Sequence, residues 1–177
     1  QAISESACDT VFAAIEHARR HAVPVSYDLN YRPRLWPPAR ARAIAQASIA
    51  ASDLFLPSLD EAQALFGIGS ADELIDWSHA LGARQVAVKC GAQGAVVSDG
   101  TSRLVIPAHP VSARDATGAG DCFAGVLLTR RLAGDSLFDA ARAAAVAAAL
   151  STTGFGALAA LPNWAQIVAA RQGASAA

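Results

Sequence analysis

Short apolar runs alternate with helical patterns along most of this chain, and this alternation constrains its fold more than any other feature. Apolar periodicity predicts strands at 23–29, 53–57, 85–89, 94–98 and 103–106, and helices at 10–21, 37–49, 59–67, 70–81, 121–132, 137–151 and 164–171. Strands that alternate with helices at this spacing are joined by crossovers, which predicts a three-layer α/β fold with helices on both faces of a mainly parallel sheet. Asp99-Gly100 is a hairpin signal, so we expect the last strands to form an antiparallel edge.

Composition narrows the class of protein. The 177 residues suit one domain, and 53% hydrophobic with 16% charged residues indicates a well-buried globular chain. A formal charge of −1 predicts neither a nucleic-acid partner nor an anionic membrane surface. An odd count of three cysteines favours a reducing, cytoplasmic location. The apolar stretch 140–161 is mostly alanine, carries Arg142 and is interrupted at 152–154, so a buried helix is favoured over a membrane span.

A glycine-rich turn at 117–120 directly precedes an apolar helical pattern. Such a turn leaves backbone N–H groups without helical partners, and the helix dipole adds partial positive charge, so the turn suits an anion such as phosphate. Asp121 places a carboxylate beside it, where a general base would stand if a hydroxyl attacked that phosphate. The alternative is that Asp121 merely caps the helix.

Three other polar clusters follow predicted strands, at 28–32, 56–58 and 89–91. Because ligands bind at the carboxyl ends of strands in open sheets, we expect these clusters and the glycine-rich turn to share one rim. Each cluster has a plainer interpretation. Arg32 could be a solvated surface residue, Ser58 a helix cap with Glu61 stabilising the helix start, and Lys89 to Gly94 an ordinary hairpin.

The run Asp115-Ala-Thr-Gly-Ala-Gly-Asp121 resembles the Asp-Thr-Thr-Gly-Ala-Gly-Asp signature of ribokinase-like, PfkB-type carbohydrate kinases, with Ala116 in place of a threonine. The resemblance implies ATP-dependent phosphorylation of a sugar hydroxyl, with Mg²⁺. It implies that Asp121 removes the hydroxyl proton and binds the sugar. It implies that the backbone amides of Gly118, Ala119 and Gly120 hold the phosphate. It also implies that Thr117 contacts the nucleotide.

The segment Asp28-Leu-Asn-Tyr-Arg32, with Leu35-Trp36, resembles a run found in the kinases of this family that act on 2-keto-3-deoxygluconate. That resemblance implies that Asn30 and Tyr31 lie near the nucleotide phosphates. It also implies that Arg32 clamps the sugar acid or the moving phosphate, a role that suits a permanently charged, bidentate guanidinium. A sugar acid substrate follows, with fructose and ribose as alternatives.

Two further motifs complete the resemblance. Ser58 and Glu61 stand where many relatives carry Asn-x-x-Glu, which implies a nucleotide-side role for Ser58 and a water-mediated contact of Glu61 to Mg²⁺. The hexapeptide 89–94 resembles the family's Lys-x-Gly-x-x-Gly loop, which implies ATP contacts at Lys89, Gly91 and Gly94. Ala145 replaces an asparagine on the helix that walls the adenine, so one polar contact to the base is expected to be missing.

The family normally has a substantial N-terminal half with most sugar contacts and a lid, and the chain contains no methionine and begins at Gln1. We therefore expect residues 1–177 to be a single partial kinase domain without that half and its lid, with little activity alone. A homo-oligomer is possible for the full-length enzyme. A nucleotide-binding remnant without turnover is one alternative. A dinucleotide-binding domain is another, although no Gly-x-Gly-x-x-Gly follows the first predicted strand.

Overall fold

Within residues 1–174, which the computed structural model describes with side chains as far as Gln172, five strands form one sheet in chain order. They are β1 (Ser26–Asp28), β2 (Leu54–Leu56), β3 (Gln85–Lys89), β4 (Ala95–Ser98) and β5 (Arg103–Ile106). The helices of this part of the chain are α1 (Glu5–Arg20), α2 (Pro38–Ala50), α3 (Leu59–Phe66), α4 (Ala71–Leu81), α5 (Ala119–Leu132), α6 (Leu137–Ser151) and α7 (Trp164–Ala174). Every predicted strand and helix is therefore present.

The sheet is parallel in its first part and antiparallel at its last edge. β1 pairs with β2 in parallel, with Ser26 opposite Leu54, and β2 pairs with β3 in parallel, with Leu54 opposite Gln85. The connections at 90–94 and 99–102 are too short for the crossover that parallel neighbours need, so β4 and β5 run antiparallel to their predecessors. This confirms the predicted sheet with its antiparallel edge.

The described residues separate into two units. The first comprises Gln1–Val88 and Ser98–Ser102, and the second comprises Lys89–Val97 and the chain from Arg103 onward. The segment from Asn30 to Glu61 therefore belongs to the first unit, whereas the loop after β3 and the glycine-rich turn belong to the second. The single partial domain over residues 1–177 stays a prediction.

The first unit packs its helices on its parallel strands. α2, α3 and α4 contact one another, as expected for successive right-handed crossovers that place their helices on the same face of the sheet. Phe55 of β2 is fully buried, and its ring stacks on Tyr27 with 5.8 Å between centroids. Phe66 and Trp77 join α3 to α4 at 4.6 Å between ring centroids. Aromatic contacts thus join neighbouring strands in one case and neighbouring helices in the other.

The second unit is built around the alanine-rich helix α6. Nine of its residues are buried, and small side chains let α5 approach closely. At the α5–α6 turn, Arg130 binds Asp135 through two contacts of 2.7 Å, and its guanidinium carbon lies 4.4 Å from the ring centroid of Trp164 on α7. The stretch 140–161 thus contributes a core helix, and among the described residues we find no helix with the length and apolarity to span a bilayer.

Two helices begin earlier than predicted. α1 starts at Glu5 rather than Thr10, because the Ser4 hydroxyl accepts the Ala7 amide at 3.1 Å and caps it. α5 starts at Ala119 rather than Asp121, after Gly118 in the left-handed region at φ +78°. The second difference matters for the site, because it places Asp121 inside the first helical turn.

Candidate active site

The glycine-rich turn presents unpaired backbone amides at the start of α5. The Ala119 amide donates to Ala116 O at 3.1 Å, and the Cys122 amide donates to Gly118 O at 2.9 Å. Within residues 1–174, no acceptor pairs with the amides of Gly118, Gly120 or Asp121. These groups lie at the positive end of the helix dipole, so the geometry fits an anion. The Ala119 amide already has an acceptor, and its contribution to phosphate binding stays a prediction.

Asp121 does not cap α5. The N-cap is Gly118, which no side chain bonds, and Asp121 lies in the first turn with an exposed side chain. The alternative of a capping aspartate is therefore wrong. A carboxylate stands free beside the unpaired amides, as a general base for a bound hydroxyl would require.

Asp115, the first residue of the motif at 115–121, fixes the shape of this turn. The sequence alone gave no sign of this role. Its Oδ1 accepts the Thr117 amide at 2.9 Å and the Thr117 hydroxyl at 2.7 Å, while its Oδ2 accepts the Gly156 amide at 2.8 Å. These hydrogen bonds hold the pKa of Asp115 below its ordinary value. The bond from the Thr117 hydroxyl has the largest effect, followed by those from the Gly156 amide and the Thr117 amide. Thr117 therefore shapes the loop, and its contact to a nucleotide stays a prediction.

The loop after α6 supports the turn from the other side. The amides of Arg114 and Asp115 both donate to Thr152 O, at 2.7 and 3.1 Å. A Cβ added at Gly118 would lie 2.8 Å from the Ala157 Cβ, so only glycine allows this approach. The turn is thus held at both ends by the residues that follow α6.

A cavity of 400 Å³ lies wholly within the second unit. It brings together six residues predicted at the site, namely Lys89, Gly91, Gly94, Ala119, Gly120 and Ala145. A Cβ added at Gly120 would lie 3.6 Å from the Lys89 Nζ, so this ammonium group stands close to the unpaired amides. The lining of the cavity therefore brings a lysine ammonium group close to the start of α5.

The two loop glycines at the cavity have different roles. Gly94 has φ +95°, and a Cβ there would collide with the carbonyl oxygen of Ile106 and lie 2.6 Å from the Ala108 amide nitrogen. Gly91 has φ +57° and open space around the position of a Cβ. Gly94 is thus required by packing against the residues that follow β5, whereas Gly91 leaves its side of the cavity open.

In the first unit, Arg32 forms an ion pair with Glu61. Arg32 Nη1 lies 3.2 Å from Glu61 Oε1 and also donates to Tyr31 O at 3.1 Å. The side chain of Arg32 is 59% exposed and that of Glu61 is 20% exposed. The motifs of the sequence imply separate roles for Arg32 and Glu61 and give no sign of their contact.

The second carboxylate oxygen of Glu61 could serve a metal ion. Oε2 is buried and has no hydrogen-bond partner among the described residues. The Ser58 hydroxyl caps α3 by accepting the Glu61 amide at 3.2 Å, which fixes the start of the helix that carries this carboxylate. An unpartnered carboxylate oxygen is a ligand of the kind that Mg²⁺ or a water in its shell prefers. The residues present therefore fit the predicted ion.

The two residues before Arg32 are placed differently from each other. Asn30 is exposed and has φ +43°, a left-handed conformation that asparagine tolerates better than most residues. Tyr31 is 6% exposed and belongs to the core. The role of Asn30 near phosphates stays a prediction, and the burial of Tyr31 indicates a packing role for its ring.

Comparison with known proteins gives consistent matches. A sequence profile described as pfkB family carbohydrate kinase matches residues 2–164. The 2-dehydro-3-deoxygluconokinase of Escherichia coli (strain K12) is 32% identical over 145 residues, which are 79% of this chain and 47% of that protein.

Two solved structures have the same fold as this chain. Fructokinase from Vibrio cholerae O395, solved with fructose, ADP and a calcium ion, has a TM-score of 0.87 at 32% identity, over 94% of this chain and 56% of that one. A putative ribokinase II from E. coli in complex with ATP and Mg²⁺ has a TM-score of 0.87 at 26% identity, over 97% of this chain and 56% of that one. These likenesses confirm the predicted ribokinase-like fold, and the chain spans about half the length of the relatives it matches.

Proposed function

We propose that this chain, which belongs to the pfkB family of carbohydrate kinases, takes part in phosphoryl transfer. The terminal phosphoryl group of ATP would pass to a hydroxyl of a sugar or sugar acid. The observation that carries the proposal is the set of unpaired amides at Gly118, Gly120 and Asp121, with the Lys89 Nζ close by at a cavity of 400 Å³. A cavity of this size suits a nucleotide. Because the chain spans about half of each relative's length, the activity of the whole protein is itself part of the proposal.

In this mechanism the chain supplies a base and a phosphate cradle. Asp121 accepts the proton of the attacking hydroxyl, an effect that contributes about 10²–10⁴-fold to rate in general. The unpaired amides and the Lys89 ammonium group stabilise negative charge on the moving phosphoryl group. Asp115 keeps these amides in position through its bonds to Thr117 and Gly156.

Two charged residues of the first unit have roles that the family resemblance implies. We assign Arg32 to the sugar acid or the moving phosphoryl group, as the resemblance of its segment implies. Glu61 would hold Mg²⁺ through water at its unpartnered oxygen. When bound, that ion would offset the negative charge of the phosphates.

We propose 2-keto-3-deoxygluconate, phosphorylated at its 6-hydroxyl, as the substrate. Support comes from the segment around Arg32 and from similarity to a protein named 2-dehydro-3-deoxygluconokinase. The sugar acid in that name, 2-dehydro-3-deoxygluconate, is the same compound as 2-keto-3-deoxygluconate. Fructose and ribose are the alternative acceptors, since the solved neighbours include a fructokinase and a putative ribokinase. The odd count of three cysteines suits a reducing compartment, and we place the protein in the cytoplasm.

The second candidate function is nucleotide binding without turnover. This candidate is supported by the cavity, because every residue that lines it lies in the second unit of this chain. The coverage of about half of each relative favours this alternative for the chain on its own.

The test combines ATP titration calorimetry with sugar-dependent ADP release, using 2-keto-3-deoxygluconate, fructose and ribose in turn. We expect Asp121→Asn to lower turnover at least about 10²-fold while ATP affinity changes less than about threefold. Asp60→Asn, another exposed carboxylate in the first turn of a helix, serves as the control and should retain turnover. Near-normal turnover in Asp121→Asn would contradict the proposed base, and ATP binding without ADP release from any sugar would favour the second candidate.

A further inference from the structure

The cavity of the second unit has a mainly apolar lining. The ammonium group of Lys89 is an exception, and it lies close to Gly120. The apolar part of the lining includes Pro110, Val111, Ala113, Ala145, Ala148 and Ala149. A nucleotide with its phosphates at the amides would therefore place its base against apolar side chains.

The α6 wall of this cavity, formed by residues 145, 148, 149 and 152, offers no free side-chain hydrogen-bond donor. Residues 145, 148, 149 and 152 follow the i, i+3, i+4, i+7 spacing of one helix face, and all four line the cavity. The polar member, Thr152, donates its hydroxyl proton to Ala149 O at 2.7 Å. Its carbonyl oxygen already accepts the amides of Arg114 and Asp115.

The loop after β3, which also lines the cavity, forms hydrogen bonds within itself. The Cys90 amide donates to Gly94 O at 2.8 Å, and the Gly94 amide donates to Gly91 O at 3.1 Å. Among the described lining residues other than Lys89 and Thr152, the side chain that can form a hydrogen bond is that of His109, which is half-buried. The side chains of the cavity thus offer few groups that could read the polar edge of a base.

On the basis of the proposed function, we propose that this site holds the base of the phosphoryl donor mainly by apolar contact. It therefore accepts guanine and hypoxanthine nucleotides about as well as ATP. Ala145 contributes to this low selectivity, since it lines the cavity from α6 with a methyl group and is 7% exposed. Apolar pockets reject similar ligands by about 10–200-fold at most, whereas sites built to hydrogen-bond a group reject its absence by about 10⁴–10⁵-fold.

The experiment titrates the 177-residue chain with ATP, GTP, ITP and inorganic tripolyphosphate by calorimetry. We expect the dissociation constants of the three nucleotides to agree within about tenfold, and tripolyphosphate to bind at least about tenfold more weakly than ATP because it buries no base. ATP binding with a loss of more than about 100-fold for GTP overturns the inference alone. Equal binding of tripolyphosphate and ATP overturns it too, and binding of no nucleotide overturns the proposed function with it.

A substitution tests the role of α6 directly. An asparagine side chain at this wall would supply an NH2 donor and a C=O acceptor, and adenine and guanine present different groups to them. Ala145→Asn should therefore separate the ATP and GTP affinities by at least about tenfold. Ala148→Asn, at the half-buried neighbour on the same face, repeats the test should the first variant fail to fold. Ala165→Asn on the exposed side of α7 is the matched control and should leave the ratio unchanged. Folded Ala145 and Ala148 variants that both keep the original ratio overturn the inference.

Discussion

Gly94 shows that a residue can belong to a binding-loop motif for reasons of packing. Its positive φ and the carbonyl oxygen of Ile106 leave no room for a side chain. The sequence placed Gly94 and Gly91 in the same nucleotide-binding motif. It could not separate their roles, because the distinction depends on contacts with residues that follow β5, more than ten positions further along the chain.

We predict that Gly94→Ala destabilises the protein strongly. The left-handed backbone alone costs about 1–2 kcal/mol for alanine, and the collision adds to it, so we expect a loss of at least about 3 kcal/mol in the free energy of unfolding. Gly91→Ala meets open space and should lose only about 1–2 kcal/mol. Urea unfolding measures both, and equal losses would contradict the packing role.

At the scale of one helix, the start of α3 depends on Ser58. Its hydroxyl satisfies the Glu61 amide and so fixes the turn that carries the Glu61 carboxylate. From the sequence, Ser58 and Glu61 could either stabilise the start of a helix or contact the nucleotide and Mg²⁺. The structure displays the helix cap.

Removing this cap has a measurable cost. Ser58→Ala should lower the free energy of unfolding by about 1 kcal/mol, since one orphan amide at the helix start loses its acceptor. Ser70 provides the matched control, because it caps α4 through a longer, exposed bond of 3.5 Å to the Glu73 amide. We expect a smaller loss in Ser70→Ala by urea unfolding, and a larger one there would contradict this ranking.

The bounds of most elements could be predicted because their signals are local. Ser70 before α4, Gly67 after α3 and the Asp99-Gly100 turn are all read within a few residues. α1 was predicted too short because residues 5–9 show no apolar period, and only the Ser4 cap marks its start.

At the scale of the whole molecule, the contacts that shape the candidate site join distant parts of the sequence. Arg32 and Glu61 lie 29 residues apart, and Asp115 and Gly156 lie 41 residues apart. Periodicity and motif spacing carry no information on such pairs, since those contacts form only when the chain is folded. The motifs therefore indicated the residues of the site but not the partners that hold them.

The stability of the whole molecule should fall in acid. Hydrogen bonds from Ser102 and Thr101 lower the pKa of Asp99, those from Thr117 and Gly156 lower that of Asp115, and bonds from Arg130 and from Ser136 lower those of Asp135 and Asp139. A carboxyl group with a lower pKa in the folded state stabilises the fold above its unfolded pKa, about 3.9 for aspartate. That contribution is lost as the pH falls through the folded pKa values.

We therefore expect the free energy of unfolding in urea to vary little from these groups between about pH 7 and pH 5, and to fall steadily below about pH 4. A chain with Asp99→Asn and Asp115→Asn together should have a shallower slope in the acid range. An unchanged slope in that variant would show that these two carboxyl groups do not contribute.

The stacking of Arg130 on Trp164 has an optical consequence. Of the three tryptophans of the chain, Trp164 belongs to the second unit, whereas Trp36 and Trp77 belong to the first. Indole emission responds to a neighbouring cation and to water. A chain with phenylalanine at the other two positions would therefore carry a built-in fluorescent reporter for the docking of α7.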